Sequence, residues 1–292
     1  NMQDIFEQEV VDYFTAQYLQ GRTPNPCVKC NDVLKFQALR SKAEALGAGY
    51  LATGHYARIE YINGSPRLFK GVDKTKDQSY FLFTMTEAQL RGTLFPLGSM
   101  TKAEVRGKAR ELGLRTSEKE ESQEICFVEG GSYSDFIVSR SEGAAKAGGG
   151  NITDRAGNVL GTHEGLFKYT IGQRKGLGIG GGDGPFYVSG IDTMNNRLVV
   201  GPVEELYSRG LRAGDITLTG GGDAASTLTA PGLKARIRYG FGEVPCRVSL
   251  TPDKGLIVEF ERPQKSVTPG QAVVFYRGDE VIGGGWIEEA LS

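Results

Sequence analysis

The stretch GRTPNPCVKCN, Gly21 to Asn31, holds two of the chain's four cysteines, Cys27 and Cys30, just behind a turn with two prolines. How it is read decides how the first third of the chain folds. A CxxC of this kind can be half a zinc site, a redox pair, the mount for one nucleophilic thiol, or two ordinary buried thiols. Zinc needs about four ligands, usually as two close pairs. No second CxxC exists, Cys126 and Cys246 are isolated, and the histidines are His55 and His163 alone. No metal is therefore expected. A thioredoxin-like pair belongs between a strand and a helix, whereas a helical pattern and a turn precede this one. The flanks favour a single nucleophile. Each proline fixes φ and extends its predecessor, and Asn31 or Asp32 can cap a following helix. That places Cys30 at a helix N-terminus beside Lys29, where dipole and cation lower a thiol's pKa from its usual ~8.5. Cys27, one turn earlier, gains less.

Outward from this segment, Phe6, Val10, Tyr13, Phe14 and Tyr18 recur at helical spacing, with Gly21 as the stop. A second helix is expected from about Asn31 to Leu46, closed by Gly47. GYLATGHY then reads as a short buried strand ending at Gly54-His55. ARIEYINGSPRLFKG reads as a hairpin turning on Asn63-Gly64. TKAEVRGKARELGL reads as a helix with Thr101 and Glu104 as a capping box. This order belongs to the α/β class, yet one strand is too little for a covered parallel sheet. The first helix has no preceding element to rest on, so the first domain is expected to be incomplete. SEGAAKAGGGN, residues 141–151, reads as a linker or exposed loop. Beyond it, glycines and short strands indicate an all-β second half.

The chain has 292 residues, 39% of them apolar and 24% charged, and a net charge of −1. That is ordinary for two or three globular domains. No apolar run approaches the ~20 residues of a membrane span, and the acidic start NMQDIFEQEVVDYF lacks a leader's basic region. Few cysteines in a long chain point to a reducing cytoplasm. Asn1 before Met2 reads as an appended residue.

Cys126 lies in EKEESQEICFVEGG. Acidic neighbours disfavour a thiolate there but suit a persulfide, which is more acidic. A core cysteine between Ile125 and Phe127 fits as well. GLGIGGG, residues 176–182, has no helix after it and is not a dinucleotide fingerprint. In LKARIRYGFG, a strand would put Lys234, Arg236 and Arg238 on one face, a ladder for phosphates, or simply a solvated face.

As a set, GRTPNPCVKCN, YLATGHYAR, KDQSYFLF, SQEICFV, YTIGQRKGLGIGG, IRYG and TPGQAVVFY resemble the tRNA-specific 2-thiouridylase family from end to end. The resemblance implies adenylation of the wobble uridine by ATP, with Mg2+ as its counterion, and replacement of the 2-oxygen by persulfide sulfur. It implies that Cys30 is the nucleophile and Cys126 the persulfide bearer, joined transiently as a disulfide. By the same resemblance Gly54 contacts ATP, and Asn25, Pro26, Cys27, His55, Lys76, Asp77, Gln78, Arg238, Tyr239 and Gln271 contact tRNA. Many members carry aspartate where Cys27 stands. The implied partners are tRNA and a sulfur donor, a cysteine desulfurase or a sulfur-relay protein, with no membrane. The implied architecture is an α/β remnant of a Rossmann-like adenylation (PP-loop) domain (1–138), a small central β-rich domain (139–208) and a C-terminal β-barrel (209–292). The family's SGGVDSS loop does not occur in the sequence. The chain is thus expected to be a truncated, adenylation-deficient form, the alternative being a non-enzymatic tRNA-binding or sulfur-relay protein.

Overall fold

The computed structural model describes residues 1–115, 125–128, 131–145, 148–180 and 184–292. Residues 3–19 form one helical rod, with wider π-type turns at Glu7–Asp12. Val10, Phe14 and Tyr18, four residues apart, line its buried stripe. With no preceding element beside it, this helix rests on residues from farther along the chain. Ile125, Phe127, Phe136, Ile137 and Phe167 cover it, and Phe127 packs edge-on against Phe14 with ring centroids 5.3 Å apart. The partners lie more than a hundred residues downstream, beyond the reach of local periodicity. Gly21, at φ 70°, supplies the left-handed turn that ends the rod.

The second helix runs over residues 26–45 and starts earlier than expected. Pro26 at its first position needs no hydrogen-bond partner for its nitrogen. Asn25 caps it, accepting from the Val28 N–H at 3.3 Å. After it, Leu51–Ala52 is a strand of two residues, half exposed, rather than the buried strand expected. It pairs in parallel with Thr93–Leu94, a partner too short to announce itself in sequence. The hairpin Ala57–Ile62 and Ser65–Lys70 turns at Asn63 and Gly64, φ 51° and 79°, as a primed turn requires. Thr101 and Glu104 form the capping box over Lys102–Glu111. Thr86 and Gln89 form a second one, over Glu87–Arg91.

A four-stranded sheet follows, in the order Val159–His163, Gly150–Thr153, Arg197–Gly201, Tyr187–Asp192. Its core is Ile152, Val188, Leu198 and Val200. The last part is a closed six-stranded barrel. Its ring runs Tyr207–Leu218, Glu280–Leu291, Ala272–Arg277, Lys234–Arg236, Val244–Leu250, Leu256–Lys265 and back.

The strand Ala272–Arg277 joins barrel to cysteine helix. Val273 and Phe275 point into the barrel core. Ala272, Val274 and Tyr276 point outward, into a second core with Val28, Phe36, Tyr80, Leu82 and Phe83. A strand buried on both faces reads as a continuous apolar run, which VVFY is. The contact is close. A Cβ on Gly284 would lie 2.5 Å from the Val273 carbonyl oxygen and 2.7 Å from the Phe83 ring, so the glycine is sterically required.

Candidate active site

The barrel fixes the loop ahead of the cysteine helix. The Thr23 N–H donates to the Pro269 carbonyl at 2.9 Å. The buried Gln271 amide donates to the Thr23 and Pro24 carbonyls at 2.9 and 3.2 Å. With Asn25 capping, the helix begins in one defined register. Cys27 and Cys30, three apart, then share a face. The Asn31 side-chain amide donates to the Phe81 carbonyl at 3.1 Å, tying the helix to the segment that carries Gln78. Cys126 arrives on residues 125–128, anchored by Phe127, whose ring lies 5.6 Å from that of Phe6.

All three thiols line one cavity of about 170 Å³. Phe6, Val10, Phe81, Ile125 and Phe127 supply apolar wall; Asn31, Lys35, His55 and Gln78 supply polar groups. The chemistry this allows is soft-nucleophile chemistry in a largely apolar niche, with one ammonium beside it.

The electrostatics differ from the sequence expectation. Cys30 lies one turn inside the helix, not at its N-terminus; Cys27 is nearer that end. Burial pushes the Cys30 thiol up, Lys35 opposes this, and Cys126 adds to it. Lys29 is not the activating cation. Its ammonium lies 4.0 Å from Glu9 and 5.6 Å from the Tyr13 ring centroid. Cys27 is open to the cavity, yet enough protein surrounds it that burial pushes its thiol up too. Cys126 and then Cys30 reinforce that shift, and Lys35 opposes it. Burial and Lys35 together hold His55 down to about 3, so its ring is neutral, 2.8 Å from the Thr53 hydroxyl through Nδ1. The acidic residues upstream of Ile125 lie outside the described residues.

Of the residues carried over by resemblance, Pro26, Cys27, Cys30, His55, Gln78 and Cys126 line the cavity. Gly54 is exposed at the end of Leu51–Ala52, next to His55, and a Cβ there would make only an ordinary 3.6 Å contact with Leu97. Tyr239 does not line the cavity, but its ring lies 4.5 Å from that of Phe81, which does. Asn25 and Gln271 are buried and act on the cysteine loop. Lys76 is half-buried and does not line the cavity. Asp77 is buried and fully engaged. Its carboxylate accepts from the Gly71 and Ser79 N–H groups at 3.1 Å and from the Ser79 hydroxyl at 3.0 Å.

Of the two readings left open for LKARIRYGFG, a phosphate ladder or a solvated strand face, neither describes all three cations. The strand stops at Arg236, whose guanidinium meets Glu243 at 2.8 Å and Asp77 at 3.5 Å. Arg238 instead donates to the Thr268 hydroxyl at 3.0 Å and stacks on Phe241; Lys234 remains exposed. His163 is structural, its Nδ1 accepting from the Gly165 N–H at 3.1 Å. Cys246 lies in the barrel wall, where burial pushes its thiol up to about 12. Sequence reasoning missed Lys35 and Phe81, and read Asn31 only as a helix cap. Only Lys35 left a trace, one helical turn and a residue beyond Cys30.

Three family models match successive parts of the chain. They are described as the tRNA methyl transferase HUP domain over residues 1–130, the tRNA methyl transferase PRC-barrel domain over 138–202 and the aminomethyltransferase beta-barrel domain over 208–287. Among similar proteins, a tRNA-specific 2-thiouridylase MnmA of Geotalea uraniireducens is 52% identical across all of this chain and 76% of its own length. The protein of that name from Geobacter metallireducens is also 52% identical, across all of this chain and 78% of its own length. One from Clostridium acetobutylicum is 45% identical over 99% of this chain and 79% of its own length.

Proposed function

The chain belongs to the tRNA-specific 2-thiouridylase family, and on that premise we propose that its cysteine cavity transfers persulfide sulfur to C2 of the wobble uridine of tRNA. The observation that carries the proposal is the convergence of Cys30 and Cys126, from distant parts of the chain, on one cavity. ATP, with Mg2+ as counterion, would adenylate the 2-oxygen with release of pyrophosphate and so make AMP the leaving group. The terminal sulfur of a persulfide on Cys126 attacks C2, and AMP departs. The Cys30 thiolate attacks the inner sulfur of Cys126 and breaks the S–S bond. Sulfur stays on C2, and a Cys30–Cys126 disulfide remains for a thiol reductant to open.

The chain's own residues fit these roles. Lys35 favours the Cys30 thiolate. The apolar wall keeps water from the persulfide and offers rings to a base, which must leave its stack to be attacked. His55, held neutral, hydrogen-bonds rather than transferring protons. Pro26, Cys27, His55, Gln78 and Tyr239 are proposed as direct tRNA contacts, with Lys76 and Arg238 at the margin and Gly54 toward ATP. Asn25, Asp77 and Gln271 act by positioning. The proposed domain limits are 1–138, 139–208 and 209–292, the partners tRNA and a cysteine desulfurase or sulfur-relay donor, and the compartment the cytoplasm. Among the described residues, no helix is long and apolar enough to cross a membrane. Methyl transfer, the wording of two of the family models, would give paired thiols no work.

The test is to incubate the chain with ATP, a persulfide donor and unmodified tRNA, and to assay 2-thiouridine by nucleoside mass spectrometry. In parallel, persulfide on Cys126 is read by peptide mass. Persulfide on Cys126 of the wild type, with any 2-thiouridine formed being lost in Cys30→Ser and Cys126→Ser, is the expected result. A chain that never carries sulfur on Cys126 refutes the proposal.

A further inference from the structure

The third thiol of the cavity, Cys27, has so far been given a tRNA contact but no covalent step. We propose that Cys27 is the resolving thiol of this site, attacking the Cys30 sulfur of the Cys30–Cys126 disulfide and releasing Cys126 for its next load. The inference rests on the sulfur-transfer reading above. The step is a thiol–disulfide exchange. The Cys27–Cys30 bond forms, the Cys30–Cys126 bond breaks, and the proton of the Cys27 thiol ends on Cys126. No net oxidation occurs. A dithiol or small thiol reductant later returns two electrons to the Cys27–Cys30 disulfide.

Three observations carry this. Cys27 and Cys30 sit three apart within the first turns of one long helix. Helical geometry puts their Cα atoms about 5 Å apart, inside the 4.4–6.8 Å range that a disulfide spans. Secondly, Cys27, Cys30 and Cys126 line a common cavity, and the Cys27 sulfur feels both of the others, so all three thiols open into one space. Thirdly, Cys27 is the more accessible member of the helical pair, exposed where Cys30 is half-buried. The exchange therefore leaves a disulfide with its open end toward an incoming reductant. Access and thiolate position govern such exchanges. The remaining cysteine, Cys246, is in the barrel wall with its sulfur against the Leu233 carbonyl and cannot serve.

The experiment needs neither ATP nor tRNA. Fully reduced protein receives one equivalent of a low-molecular-weight persulfide. Samples are quenched with N-ethylmaleimide at intervals, disulfides are mapped on non-reduced peptides, and released sulfide is measured. In the wild type, Cys30–Cys126 should appear first and give way to Cys27–Cys30. In Cys27→Ser, and equally in Cys27→Ala, Cys30–Cys126 should persist, about tenfold above its wild-type level. Cys27 remaining reduced while Cys30–Cys126 persists in the wild type overturns the relay and leaves the sulfur-transfer reading intact. Sulfide release that continues unchanged in Cys30→Ser overturns the sulfur-transfer reading and the relay with it.

Discussion

Replacing Asp77 by alanine separates two roles that a sequence cannot tell apart. Resemblance assigns this residue to the tRNA surface. Its surroundings assign it to the joint between barrel and cysteine segment. The side chain is 3% exposed, and Arg236, which it meets at 3.5 Å, is 14% exposed. Lys70 Nζ reaches Glu243 at 2.6 Å, and Lys70 and Arg236 flank the Tyr276 ring at 4.7 and 5.0 Å. Truncation leaves the Gly71 and Ser79 N–H groups without an acceptor, at about 1–3 kcal/mol each. Arg236 keeps Glu243, so the lost ion pair is the smaller part. The sum, about 2–6 kcal/mol, brackets the usual cost of breaking a buried pair. At ~2–4 °C per kcal/mol for a chain of this size, thermal unfolding should move down by roughly 10 °C. Asp77→Asn keeps one acceptor oxygen and should lose less than half of that. The carboxylate is buried and faces Gly71, Ser79 and Arg236 rather than solvent, so RNA affinity at 15 °C should change little in either variant. Unfolding within about 1 °C of wild type, together with a large loss of RNA affinity, would refute the assignment.

Gln271→Leu removes both donors to the Thr23 and Pro24 carbonyls and should cost about 1–3 kcal/mol; it should also slow Cys30–Cys126 disulfide formation, checked by timed peptide mapping. Burial holds the Cys30 thiol above its ordinary range, so its alkylation rate should keep climbing with pH beyond ~8.5, where a free thiol levels off. Lys35→Gln should shift that profile further up and lower the rate at neutral pH; a profile that levels off early contradicts the stated environment. His55, held down to about 3 in the fold, takes a proton near pH 6.5 once unfolded. Its contribution to stability is therefore complete above pH 6.5 and is lost as pH falls, by up to ~1.4 kcal/mol per unit. Denaturant titrations of His55→Gln should show a shallower decline between pH 6 and 4 than the wild type does.

What was legible in the sequence was local. The hairpin turn at Asn63-Gly64 and the capping box at Thr101 and Glu104 depend on neighbours within four residues, and both stand where they were read. The start of the cysteine helix was misread by five residues, because Asn31 and Asp32 are as good cap residues as Asn25. What selects Asn25 is Gln271, almost 250 positions away, which fixes the loop before it. The phosphate ladder failed for a similar reason. Alternation holds for Lys234 and Arg236, but the strand ends there, before Arg238, and the charge of Arg236 is answered by Asp77 and Glu243 from other segments.

The same distance dependence explains why the cavity exists. Within 21–31, two thiols on a helix face have no fixed partner, and a buried thiol is normally inert. Reactivity requires that something hold the helix still, something bring a third sulfur, and something keep a cation near. The barrel does the first through Gln271 and the core shared by Val274 and Val28. The rod at 3–19 does the second, since Phe6 and Phe14 grip Phe127 and thereby seat Cys126. The cysteine helix does the third itself, with Lys35 lining the cavity beside Cys30. The site is thus distributed over the whole chain, and a change at Phe14 or Gln271 that touches no thiol should alter thiol chemistry as surely as a change at Lys35.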